Sequence, residues 1–260
     1  MKLINDKNRA GFTLVETVIA MGIITIMITA FLAAFGPAVQ GIRKSISAKE
    51  ANRLASSLEY ELSVLRPPRL GEEPTYPTAF AKAYDWIEDS LNTTKNDFVI
   101  IYQYRGNPNK VRADGTLEPF TPADDGASDD DAVPGQDYVI QSVVRRIGDP
   151  EVEEELEAGV VEGRVFYVRM KQLVFDNGAL TLTTNPGEIV DPKNPSAGFD
   201  PDDHTGYPEA VIAFQAEFYV LKSSINRYVI DSFEYVDDNG DGHPDATGKP
   251  VFTRNMAVRR

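Results

Sequence analysis

The sequence predicts an α+β protein: one long N-terminal helix followed by a β-rich head. Three observations carry this. From Phe12 to Phe35 the only charged residue is Glu16, an apolar run of 24 residues. That is enough to cross a hydrocarbon core of roughly 30 Å at about 1.5 Å per helical residue. Between Ile42 and Leu65 apolar residues recur on a helical period. Beyond residue 97, runs rich in Val, Ile, Phe and Tyr alternate with Asp-, Pro- and Gly-rich stretches, the pattern of strands and turns.

Residues 1–11 are a short leader in which Lys2, Lys7 and Arg9 outweigh Asp6. Positive charge is retained on the cytoplasmic side, so the leader stays in the cytoplasm and the C-terminal bulk faces outward. Residues 12–36 are the membrane-spanning half of the helix, and Gly36-Pro37 predicts a kink at the bilayer exit rather than an end. Residues 37–66 form the amphipathic half. Ile42, Ile46, Leu54, Leu58, Leu62 and Leu65 share one face, with Arg43, Lys44, Lys49, Glu50, Arg53, Glu59 and Glu61 between them. Pro67-Pro68 stops the helix. A free amphipathic linker would show the same pattern.

Residues 67–260 read as one exported β-rich head. A short helix is expected over 78–91. Strands are expected over 98–104, 137–147, 164–175, 179–184, 209–222, 226–236 and 251–258. Asp176-Asn177-Gly178 between two of these is a hairpin signal, because a type I′ turn needs positive φ at its centre. Asp149-Pro150 before Glu151, Glu153, Glu154 and Glu155 reads as a capped acidic helix start closed by Gly159. Two loops, about 105–136 and 185–207, are rich in Asp, Pro and Gly. The first carries Asp124, Asp125, Asp129, Asp130 and Asp131; a solvated, mobile loop is the expectation, a cation site the alternative.

Gly11-Phe12-Thr13-Leu14-Val15-Glu16, ahead of the apolar run, resembles the processing site of type IV prepilins and pseudopilins. A secretory signal peptide places its cleavage site after the apolar region, and here the order is reversed. The resemblance is specific over residues 1 to about 40 and architectural beyond. It implies cleavage after Gly11 by a prepilin peptidase, methylation of the new amine of Phe12, and a single-pass inner-membrane subunit with a periplasmic or extracellular head. It implies a pilin-like fold, the helix S-shaped and its second half packed on an antiparallel sheet. Glu16 would pair with the Phe12 amine of a neighbouring subunit as helices assemble on an inner-membrane platform. An ionisable group in hydrocarbon is costly and marks function by default.

The function implied is a structural subunit, minor by its size, of a type IV pilus or a type II secretion pseudopilus. The alternative is a stand-alone membrane-anchored binding protein using the same export route. Many Gram-negative type IV pilins close a C-terminal loop with a disulfide; this chain has no cysteine, which shifts weight toward pseudopilin-like or minor-pilin-like relatives.

The net charge is −14, and from residue 67 on 35 acidic residues face 18 basic ones. Such a surface repels phosphate backbones and argues against a nucleic-acid partner. It suits divalent cations. Asp237-Asp238-Asn239-Gly240-Asp241-Gly242-His243-Pro244-Asp245 matches the first nine positions of a calcium loop. Asp237, Asn239 and Asp241 would ligate through side chains, His243 through its carbonyl, and Asp245 directly or through water. The twelfth position is Gly248, not the usual Glu, and a plain hairpin turn competes with Ca²⁺. The loop looks more like those of dockerins and thrombospondin-type modules, and major pseudopilins also hold calcium in a C-terminal loop. No catalytic head is expected: His204 and His243 fall in no hydrolase or metalloprotease motif, and no Gly-rich phosphate loop occurs. Asp202-Asp203-His204 reads as an exposed loop before a cation site.

Overall fold

The computed structural model describes residues 13–67, 73–91, 98–121, 132–176, 178–195, 204–226, 228–229 and 249–260. The chain divides into two compact units, Met1–Ile46 and Ser47–Arg260. Helix α1 spans Leu14–Ser63 and continues through Pro37 without interruption. It stops at Ser63, three residues earlier than the sequence suggests, ahead of Pro67.

In the second unit the α1 face formed by Ala51, Leu54, Ala55, Leu58 and Leu62 is fully buried. Ile42 and Ile46, expected on that face, are 60% and 53% exposed, and Leu65 is 42% exposed. A helical period marks a face of the helix without fixing how much of that face is buried. Toward its start in this unit, α1 touches the sheet through polar groups instead. Arg164 donates to Ser47 and Arg53 to Gln103, which in turn donates to Ser142 at 2.8 Å. The Glu50 carboxylate accepts the Arg164 N–H at 3.2 Å.

Helix α2, Ala79–Glu88, begins where the Thr78 hydroxyl accepts the Ala81 N–H at 3.0 Å, and a 3₁₀ turn over Asp89–Leu91 ends it. Helix α3, Pro150–Glu157, has Pro at its first position and ends before Gly159 at φ +65. Asp149 does not cap it with its side chain, contrary to the sequence reading. Its carboxylate accepts the Arg146 N–H instead, at 2.8 Å, pinning the preceding strand to the helix start.

Among the described residues seven strands form one antiparallel sheet. They are β1 Val99–Val111, β2 Leu117–Pro119, β3 Val139–Arg146, β4 Val161–Asp176, β5 Ala179–Leu182, β6 Val211–Val220 and β7 Phe252–Arg259. The order is β2-β1-β4-β6-β7, with β3 paired to β1 and β5 to β4. The α+β, pilin-like class holds: a long apolar N-terminal helix with a large antiparallel sheet. Both faces are covered, which explains the unbroken apolar run at the start of β1. Val99 and Ile101 join the core of α1 and α2; Ile100, Tyr102 and Tyr104 join that of α3. β4 and β5 pair as a hairpin there, with Asp176 opposite Ala179 and Gly178 at φ +81; Asn177 lies outside the described residues.

Two expectations are corrected. The 105–136 stretch is not one solvated loop. β1 runs to Val111, turns through Gly115 at φ +82 and returns as β2. The Asp114 carboxylate holds that turn by accepting from the N–H and hydroxyl of Thr116 at 2.9 and 2.7 Å. Polar side chains hid this strand end because its last residues are exposed while its backbone is paired. Asp124, Asp125, Asp129, Asp130 and Asp131 lie outside the described residues. The strand expected over 226–236 does not begin there: Tyr228 and Val229 both bond back to the Ile225 carbonyl in a helical turn. Its remainder lies outside the described residues.

Candidate functional site

Gly11 and Phe12 lie outside the described residues, which begin at Thr13. Glu16 sits in the first turn of α1 and is exposed. Thr13 and Glu16 bond reciprocally. The Thr13 N–H donates to Glu16 Oε2 at 3.4 Å, and the Glu16 N–H donates to Thr13 Oγ1 at 3.2 Å. This is a capping box: each side chain satisfies a backbone donor that the helix start leaves without a partner. The S/T-x-x-E spacing of Thr13-Leu14-Val15-Glu16 is the sequence signal for it. A carboxylate drawn to the helix N-terminus also lies at the positive end of the helix dipole.

The rest of this unit suits hydrocarbon. α1 is long and apolar enough to cross a membrane, and none of its most apolar window is buried by protein. The Thr25 and Thr29 hydroxyls donate to the carbonyls of Met21 and Thr25, both at 2.8 Å, so neither needs water.

In the second unit the polar chemistry concentrates in buried charges. Glu155 of α3 has no exposed side-chain surface. It accepts from Arg112 at 2.5 Å, from Arg145 at 2.9 Å and from the Tyr102 hydroxyl at 2.6 Å. Arg145 also reaches Asp114 at 3.0 Å and Thr116 at 3.1 Å. Burial and the Glu155 charge push the Tyr102 phenol well above its ordinary value. Arg66 donates to the Asp114 carbonyl at 3.0 Å and pairs with Glu61 of α1 at 2.5 Å. Lys82 of α2 pairs with the same Glu61 at 2.5 Å. Burial raises the Glu61 pKa, but hydrogen bonds from Arg66 and the charge of Lys82 outweigh it and leave it below the usual carboxylate value. For Lys82, burial lowers the pKa more than Glu61 restores it.

A cleft of about 550 Å³ opens over this cluster, lined among others by Arg66, Tyr76, Lys82, Trp86 and Arg145. Four elements and one turn meet through these pairs, so their chemistry is that of a clamp. The acidic run 151–157 gave no sign of it. Its five carboxylates look alike in sequence, and only Glu155 turns fully inward.

Asp237, Asn239, Asp241, His243 and Asp245 lie outside the described residues, as do Asp202 and Asp203. Among the described residues no group of three His, Cys, Asp or Glu side chains could hold a metal ion. His204 is partly buried, its ring centroid 6.4 Å from that of Tyr84, and its carbonyl accepts from Arg260 at 2.7 Å.

Residues 6–32 match the prokaryotic N-terminal methylation motif, the prepilin-type cleavage and methylation signal of type IV pilin-like proteins. No curated protein and no solved structure matches the chain. Over residues 6–32 the chain thus carries the processing signal of type IV pilin-like precursors, and the helix that follows is long and apolar enough to cross a membrane.

Proposed function

We propose that this precursor is a minor subunit of a type IV pilus or type II secretion pseudopilus. The single observation that carries the reading is the motif match over residues 6–32, which takes in Gly11, Phe12 and Glu16. A prepilin peptidase cuts after Gly11 and methylates Phe12. The N-terminus is cytoplasmic, and the head faces the periplasm or the exterior. Assembly proceeds through the N-terminal helices on an inner-membrane platform. Glu16 pairs with the Phe12 amine of a neighbouring subunit; a charge pair buried among apolar helices is costly to leave half-made, so it sets axial register. In the unassembled chain the Thr13 capping box supports the Glu16 carboxylate at the helix start.

The size of the head favours a minor place over that of a major subunit. A Ca²⁺ ion held by Asp237, Asn239, Asp241, His243 and Asp245 would fasten the C-terminal region in a chain without cysteine. A stand-alone anchored binding protein is the competing reading, and genes for an assembly ATPase and platform protein beside this one would speak against it.

N-terminal analysis of the membrane-extracted protein tests the assignment. It should begin at N-methylated Phe12, and Gly11→Arg should leave the leader attached. An intact Met1 in cells with active peptidase, or a start beyond residue 35, overturns it.

A further inference from the structure

After Glu16 no charged residue occurs until Arg43. Phe35 closes the apolar run, and Gly36–Ile42 adds an uncharged stretch of α1 worth about 10 Å of helix. The headgroup layer occupies roughly 5 to 8 Å on each side of the hydrocarbon core. Arg43 and Lys44 therefore fall near its outer boundary, where lipid phosphates lie within reach of long basic side chains. Both are exposed in the structure. Val39, Ile42 and Ile46, spaced three and four apart, form one apolar stripe beside them, 36%, 60% and 53% exposed. An apolar stripe flanked by basic residues at this depth has the composition of an interfacial helix segment.

We propose that Arg43 and Lys44 bind anionic phospholipid headgroups at the C-terminal end of the span and so fix how deep α1 sits. This rests on the reading of α1 as membrane-spanning. The contact deepens the subunit role, because a subunit leaving the bilayer for a filament must give it up. An acidic protein surface could also attract these residues. Lipid is favoured by their place: the first charges beyond an uninterrupted apolar run, within side-chain reach of the lipid phosphates.

The chain has no cysteine, so a single introduced thiol reports locally. Mature full-length protein carrying Gln40→Cys labelled with bimane is placed in phosphatidylcholine vesicles containing 30% phosphatidylglycerol. Quenching by headgroup-labelled phosphatidylglycerol is compared with quenching by headgroup-labelled phosphatidylcholine. Phosphatidylglycerol should be enriched around the probe. Each basic residue removed should weaken the preference for phosphatidylglycerol over phosphatidylcholine, expressed as the ratio of their binding constants, by about fivefold, so that Arg43→Gln/Lys44→Gln abolishes the enrichment. Arg43→Lys should retain the enrichment, and added salt should weaken it. Enrichment unchanged in the double variant overturns the proposal. So does its absence in the wild type, and cross-linking of Ser45→Cys to a second chain would then identify a protein occupant. A probe at Ile24→Cys separates the two layers: if it is open to water, the spanning reading itself fails.

Discussion

Replacing Glu155 with Ala removes the carboxylate on which Arg112, Arg145 and Tyr102 converge. Glu155 has no exposed side-chain surface, and Arg145 is only 6% exposed. Neither arginine is left alone, since Arg145 keeps Asp114 at 3.0 Å and Arg112 keeps Glu154 at 2.6 Å. The loss therefore sits toward the low end of the 3–5 kcal/mol typical of a broken buried pair. The stranded Tyr102 hydroxyl adds about 1–3 kcal/mol. Together this is roughly 4 kcal/mol, or a melting point lower by about 10 °C for a domain near 200 residues. Thermal unfolding of the full chain in detergent, followed by aromatic circular dichroism, measures it. Glu154→Ala is the control: Glu154 is 56% exposed on the same Arg112, and an exposed pair contributes about 0–1 kcal/mol. Glu155→Gln should fall between the two, because an amide oxygen still accepts one of the three bonds. A Glu155→Ala protein melting within about 2 °C of wild type, or no lower than Glu154→Ala, would refute the clamp.

Gly163 holds φ +74 in β4, and a Cβ there would press on the Glu50 carboxylate. Gly163→Ala should destabilise by about 1–2 kcal/mol from backbone strain alone, visible as a lower denaturant midpoint that added Glu50→Ala only partly restores. Acid should also weaken the head. Glu61 and Asp114 are held below their ordinary pKa values despite burial, so their contribution is present above the unfolded pKa and is lost as pH falls through the folded one. Asp149, raised chiefly by burial, acts in the opposite sense, its contribution present at low pH and lost as pH rises. With two groups against one, the melting point should drop below about pH 4.5, and Glu61→Gln should flatten that slope; an unchanged slope would remove Glu61 from the account. Calcium binding at Asp237 and Asp241 predicts a higher melting point in calcium than in chelator, about 2.7 kcal/mol at one hundred times the dissociation constant. Asp241→Ala should abolish that difference, and equal melting of the wild type in both conditions returns the loop to an ordinary turn.

Much of this molecule is readable along the chain, because the signals involved are short-ranged. The processing motif, the uncharged run after Glu16 and the Asp176-Gly178 hairpin each fit within a few turns or residues, where composition and spacing fix local geometry. Most strands were legible because faces covered on both sides leave continuous runs of Val, Ile, Phe and Tyr, whereas the polar, exposed end of β1 and the short β2 were not. Burial of individual residues was not legible. Ile42, Ile46, Leu54, Leu58 and Leu62 share one helical period, yet the first two are exposed and the last three buried. Glu155 looks like its acidic neighbours in α3. What turns it into a buried anchor is Arg145 on β3 together with Arg112 beyond β1, residues 10 and 43 positions away. Local sequence decides which elements form and where the chain can enter a membrane. Which charges are stripped of water is decided by long-range packing, because only the assembled sheet and helices bring the compensating partners within hydrogen-bond distance.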